Sequence, residues 1–203
     1  MTTTRRRSTG SPTGLARKEL IVRSAAKVFA EKGFSSATVR DIADEAQILS
    51  GSLYYYFDSK EAMVEEVLVA YLDEMLRGYH LAVEEAETPA LALELLIRNA
   101  LLGLVDNREQ VTILQNDWHY VRPMAGIAKR QQAIEKVWLE TIQRGIDEGA
   151  LRSDFDARMV YRTIMGAIQA VIRWFDPRGK VGIETVIAVQ TAILLDGIRG
   201  PQG

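Results

Sequence analysis

The chain has 203 residues, 47% hydrophobic and 26% charged, with 25 basic against 27 acidic side chains and a net charge of −2, an ordinary globular balance. With no cysteine and two histidines, His80 and His119, it lacks the material for a disulfide framework, a thiolate or histidine metal site, or a cysteine nucleophile. No run approaches the ~18 apolar residues of a membrane span, and the basic N-terminus has no apolar stretch behind it, so a cytoplasmic protein without membrane or cofactor is expected.

Residues 1–14 (MTTTRRRSTGSPTG) offer almost nothing to bury and are expected to be a disordered basic arm. Helical periodicity starts at Ala16, with Ile21, Ala25 and Val28 on one stripe and Lys32-Gly33 as a C-terminal charge and left-handed cap. Thr38-Val39-Arg40-Asp41 reads as a capping box for a second helix that reaches about Ala46. A third helix, Ser50–Phe57, follows about four residues later with Ser50 as its expected cap. Asp58-Ser59-Lys60-Glu61 is a further capping box and opens a long fourth helix carrying Met63, Val64, Val67, Leu68, Tyr71, Leu72, Met75 and Tyr79 on one side. Beyond it come a Thr88-Pro89 start, a shorter piece around Val111–Val121, a helix from Pro123 to near Gly149, one from Asp156 and one from about Gly182 to Ile198. With no hairpin signal and no sustained alternation, the fold is all-α, about nine helices.

Charge is uneven: positions 1–60 hold ten basic and six acidic residues, the remainder fifteen and twenty-one. A basic head on an acidic body directs the head toward a polyanion. Three short helices and a long one within that head have the layout of a helix-turn-helix module. In the third helix Leu53 and Phe57 lie at i, i+4 and dock inward. Ser50, Ser52 and the run Tyr54-Tyr55-Tyr56 then face outward, where small hydroxyls allow close approach to a groove and tyrosine hydroxyls reach phosphates or base edges.

Phe29-Ala30-Glu31-Lys32-Gly33-Phe34, Thr38-Val39-Arg40-Asp41-Ile42-Ala43 and Gly51-Ser52-Leu53-Tyr54-Tyr55-Tyr56-Phe57-Asp58-Ser59-Lys60-Glu61 strongly resemble the TetR family of bacterial transcriptional repressors. The resemblance implies that Thr38 and Lys60 hold phosphates, that Arg40, Ser50, Gly51, Ser52 and Tyr54 face bases or the groove wall, and that Tyr55 and Tyr56 hold backbone. The family's common pattern has a histidine where Tyr56 stands. Ile48-Leu49-Ser50-Gly51-Ser52-Leu53-Tyr54 further resembles actinobacterial members that control lipid or steroid breakdown, some of them responsive to acyl-CoA thioesters. The implied organisation is an arm (1–14), a helix-turn-helix domain (15–60) and a ligand-binding and dimerisation domain (61–203). The implied partners are a palindromic double-stranded operator, a small-molecule effector and a second copy of the chain.

Elsewhere the chemistry is sparse. Ser24-Ala25-Ala26-Lys27 lies inside an amphipathic helix without companion motifs, and Asp117-Trp118-His119 has no nucleophile beside it, so no catalytic residue is assigned. Tyr161, Met165 and Gln169 fall on one stripe at i, i+4, i+8. With Trp118 and Trp138 on the preceding segments, they suit the wall of a pocket for a bulky apolar effector with one or two polar groups; filling the core is the alternative. The last helix is apolar around most of its circumference and the segment 160–175 is similarly rich, which places Val171, Ile187, Ile193 and Leu194 in a two-fold four-helix interface. An all-α interaction protein, or an efflux-pump regulator binding hydrophobic drugs, remains the alternative function.

Overall fold

The computed structural model describes residues 12–199, which form ten α-helices, one 3-10 turn and a single isolated antiparallel bridge between Leu151 and Arg199. The helices are α1 (Pro12–Lys32), α2 (Val39–Glu45), α3 (Ser50–Leu53), α4 (Lys60–Glu85), α5 (Pro89–Asp106), α6 (Arg108–Asn116), α7 (Trp118–Val121), α8 (Ala125–Asp147), α9 (Ala157–Ala170) and α10 (Ile183–Ile198). The expected all-α class therefore stands. The tenth helix arises because the segment around Val111–Val121 breaks at Asp117 (φ −109°, ψ 14°) into α6 and α7. Of the expected N-terminal arm, residues 1–11 lie outside the described residues, whereas Pro12, Thr13 and Gly14 already belong to α1.

Local chemistry accounts for most of the helix ends. Gly33 adopts φ +77° and donates its N–H to the Phe29 carbonyl at 2.9 Å, closing α1 in the left-handed conformation that glycine reaches without a Cβ penalty. The Thr38 hydroxyl accepts from Asp41 N–H while the Asp41 carboxylate accepts from Thr38 N–H. Ser59, Thr88 and Asp156 each accept a backbone N–H three residues on, at the starts of α4, α5 and α9. Ser50 is not a cap: it is the first helical residue of α3, behind Leu49, which makes no side-chain capping bond. Regular α-helix ends at Leu53, and Tyr54–Tyr56 continue as a turn in which Tyr56 and Phe57 N–H both return to the Leu53 carbonyl.

The chain divides into two compact units. The first comprises 12–70 and Glu109–Ile127, so it takes in the first turns of α4 together with α6 and α7, beyond the 15–60 segment expected to form it. Its core is built from Ile21, Ala25, Phe29, Ile42, Leu53, Phe57, Met63, Val64 and Leu68, joined by Ile113, Val121 and Ile127 from the later stretch. Each large aliphatic or aromatic side chain buried there contributes about 1.5–3 kcal/mol. The second unit comprises Tyr71–Arg108 and 128–199, centred on Leu72, Tyr79, Leu93, Leu96, Ile97, Leu101, Trp138, Ile142 and Ile164. Within it α5 packs against α9 and α10. Arg108 donates to the carbonyls of Ile172 and Phe175, both at 3.3 Å, and so fastens the turn that follows α9.

Candidate nucleic-acid interface and effector unit

In the first unit, α2 and α3 are joined by the four residues 46–49. The turn tightens through Gln47, whose φ of +53° is the left-handed region, and Ile48 N–H reaches back to Ala43 at 2.9 Å. Leu53 and Phe57 are buried beneath this turn, as their spacing requires. The residues between them point the other way. Tyr54 is 57% exposed and Tyr55 62%, with Ser50, Ser52 and Tyr56 half-buried beside them. A Cβ on Gly51 would meet nothing within 4 Å, so the surface there is open to close approach. Arg40 on α2 is 86% exposed and lies 3.9 Å from Asp44, which leaves its guanidinium available for an anion. Small hydroxyls, two exposed phenols and a solvated guanidinium, on α2, α3 and the turn that follows, are groups able to bond phosphates or base edges.

Two residues expected at phosphates are otherwise engaged. The Lys60 ammonium donates to the carbonyls of Phe34 (2.7 Å), Ala37 (2.9 Å) and Ser35 (3.4 Å) and lies 4.5 Å from the centre of the Phe34 ring. All three carbonyls belong to the loop between α1 and α2, so Lys60 ties that loop to the start of α4. Thr38 spends its hydroxyl proton on Asp41, at 2.7 Å. Asp41 also receives Lys32 at 2.6 Å, and the bond from Lys32, followed by those from Thr38, holds its carboxyl down at about 2.

The five residues expected around a ligand separate. Trp138 and Tyr161 are neighbours in the second unit, ring centres 6.3 Å apart, and Met165 is half-buried one turn beyond Tyr161. Gln169 is exposed, and Trp118 belongs to the first unit. Tyr79, not selected as a ligand residue, takes the place beside Trp138: the rings meet edge to face at 5.7 Å. It lies on the apolar stripe of α4 and is buried. Among the described residues neither the Tyr79 hydroxyl nor the Trp138 Nε1 has a hydrogen-bond partner, although both atoms are buried. Burial drives the Tyr79 hydroxyl far above the usual tyrosine range, with the Tyr71 hydroxyl adding to it. Burial likewise pushes Tyr161 up to about 12, with Glu135 adding to it. A separate cavity between α5 and α10 has a mixed lining, with Glu94, Arg98 and Glu184 beside Ile187, Ala188 and Leu195, and includes none of these aromatics. No group of three or more metal-binding side chains occurs among the described residues, and no helix there is long and apolar enough to cross a membrane.

Residues 21–67 match the model of bacterial regulatory proteins of the tetR family, and residues 86–198 match that of a tetracyclin repressor-like C-terminal domain. The chain belongs to the TetR family of bacterial transcriptional repressors. It is 36% identical over 191 residues to the HTH-type transcriptional repressor KstR2 of Mycolicibacterium smegmatis, covering 93% of each chain. The solved structure of the ketosteroid transcriptional regulator KstR2 of Mycobacterium tuberculosis superposes with a TM-score of 0.83 at 34% identity, covering 91% of this chain and 96% of that one. AibR, solved in complex with isovaleryl coenzyme A and operator DNA, shares the fold at 19% identity (TM-score 0.77, 88% and 98% covered).

In this TetR-family chain the four residues expected at a dimer interface also separate. Val171 is fully buried and Ile187 is 5% exposed, so both belong to the protomer's own core. Ile193 is 68% exposed and Leu194 half-buried. Val189 on α10, with Met159 and Trp174 at the two ends of the α9 segment, adds exposed apolar surface. Helical spacing alone does not separate the two faces of α10: Ile187, Thr191 and Leu195 recur on a buried side, but Val186, seven residues before the exposed Ile193 and so nearly in line with it, is buried as well.

Proposed function

We propose that the protein is a homodimeric repressor acting in the cytoplasm, which reads a palindromic operator through α2 and α3 and releases it when a bulky, mostly apolar lipid-type effector or its CoA thioester binds the second unit. The observation that carries the DNA-reading part is the outward set Arg40, Gly51, Ser52, Tyr54 and Tyr55, held from beneath by Leu53 and Phe57. Dimerisation is supported by Val189 and Ile193, large apolar side chains left exposed on a terminal helix. The effector class is supported by the ring cluster Tyr79–Trp138–Tyr161, a largely apolar wall that carries a buried hydroxyl and a buried indole N–H able to bond a polar group. The similarity to KstR2, a ketosteroid regulator in the M. tuberculosis structure, and the isovaleryl coenzyme A bound by AibR point the same way.

The test is selection of genomic DNA fragments on the full-length protein, followed by titration of the recovered sites. The expected result is a palindrome whose half-site centres lie ~34–36 Å apart or somewhat more. Equal affinity for every duplex would refute sequence-specific reading. Steroid-ring and fatty acyl-CoA thioesters are then titrated against the operator complex, following release by anisotropy and ligand binding by tryptophan fluorescence. Retention of operator with every thioester would refute the effector class.

A further inference from the structure

We infer that Asp117 is a positioning residue for operator binding: its carboxylate and the Lys60 ammonium grip the α1–α2 loop from two sides, so that the stretch Glu109–Ile127 sets the pose of the DNA-reading helices. This rests on the proposal that α2 and α3 read DNA.

Phe34 is the hub of the grip. Its N–H donates to Asp117 Oδ2 at 2.9 Å, across 83 positions of sequence, and its carbonyl accepts from Lys60 at 2.7 Å. Its ring meets those of Phe29 and Tyr120 at 5.6 and 5.9 Å. Asp117 is 6% exposed, and a buried carboxylate must be satisfied by donors, so losing the Phe34 N–H would strand a charge. A second tie lies further along the same stretch, where Glu65 of α4 accepts the Gly126 N–H at 2.9 Å. Ala37, whose carbonyl Lys60 also holds, directly precedes Thr38, the cap of α2. Any displacement of Phe34 thus passes within four residues into the first reading helix.

The clamp separates affinity from counterion release. A phosphate-binding cation contributes to the salt dependence of DNA binding, whereas a residue that only orients the reader does not. The experiment titrates full-length protein against the selected operator over a series of salt concentrations, with variants Asp117→Ala, Asp117→Asn, Lys60→Met and Arg40→Ala. Amide hydrogen exchange of Phe34 is followed in parallel without DNA, and thermal melting checks the folding of each variant. Asp117→Ala is expected to weaken operator binding about tenfold or more with the wild-type salt slope, and to speed exchange at Phe34. Asp117→Asn keeps an acceptor oxygen in place and restores both readouts. Lys60→Met weakens binding without changing the slope, while Arg40→Ala lowers the slope by about one. Wild-type operator affinity in Asp117→Ala, failure of asparagine to rescue, or a slope lowered by about one in Lys60→Met would each overturn the inference. If Asp117→Ala does not fold, Asp117→Asn and Lys60→Met carry the test. Should the wild type show no preferred site, the functional proposal fails. The clamp then stands or falls on whether Phe34 is protected in the wild type and exposed in Asp117→Ala.

Discussion

Replacing Ile193 by aspartate should dissociate the dimer while leaving the protomer folded, and replacing Ile187 in the same helix should do the reverse. Ile193 is 68% exposed in the protomer, so about two-thirds of its surface is available to a partner. Full burial of an isoleucine is worth about 1.5–3 kcal/mol, and two-fold symmetry counts the residue twice, giving about 2–4 kcal/mol for the pair. At about 1.4 kcal/mol per tenfold, the dimer dissociation constant should rise roughly 30- to 1000-fold, and more where the new carboxylates are desolvated. Ile187 is 5% exposed and faces the protomer core, so aspartate there buries an unpaired charge and costs about 3–5 kcal/mol of folding stability. Sedimentation velocity over a micromolar dilution series reads the first effect, and circular-dichroism melting reads the second. Part of the melting shift in Ile193→Asp follows from mass action, so helical content below the transition is the cleaner test of folding. An Ile193→Asp protein that stays dimeric with the wild-type constant refutes the assignment of the α10 outer face. So does one that loses helical content as Ile187→Asp does.

Tyr54→Ala, at an exposed position, should change folding stability by less than about 0.5 kcal/mol while weakening operator binding and altering base preference, measured by repeating the site selection with the variant. Tyr79→Phe removes a buried hydroxyl without a partner, so the melting temperature of the free protein should hold or rise, while affinity for a thioester effector should fall about tenfold by fluorescence titration. The Asp41 carboxyl lies at about 2, below its unfolded value near ~4. Its stabilising contribution is therefore complete above about pH 4 and is lost as the pH falls toward about 2. Melting curves between those limits should show a smaller acid loss in Asp41→Asn than in the wild type, and salt should narrow the difference because Lys32 is exposed.

What the sequence determined by itself is what a few neighbouring residues decide. Gly33 closing α1, the Thr38–Asp41 box, the Thr88 cap and the Asp156 start are interactions within three or four positions, and all appear where the pattern placed them. The inward pair Leu53 and Phe57 and the outward Tyr54 and Tyr55 follow from spacing in the same way. Tertiary structure decided the rest. A lysine after a capping serine looks solvated in sequence, yet three carbonyls from 23 to 26 positions away take the Lys60 ammonium. Asp117 looks like one member of an aromatic run, until folding brings it to an amide 83 positions earlier. Val171, Ile187 and Ile193 are equally apolar, and only the packing of α5 and α9 against α10 determines which are consumed inside the protomer. Helix caps are local because the backbone groups they satisfy are local; the partner of a buried charge or an apolar face is chosen by whatever the chain brings to it.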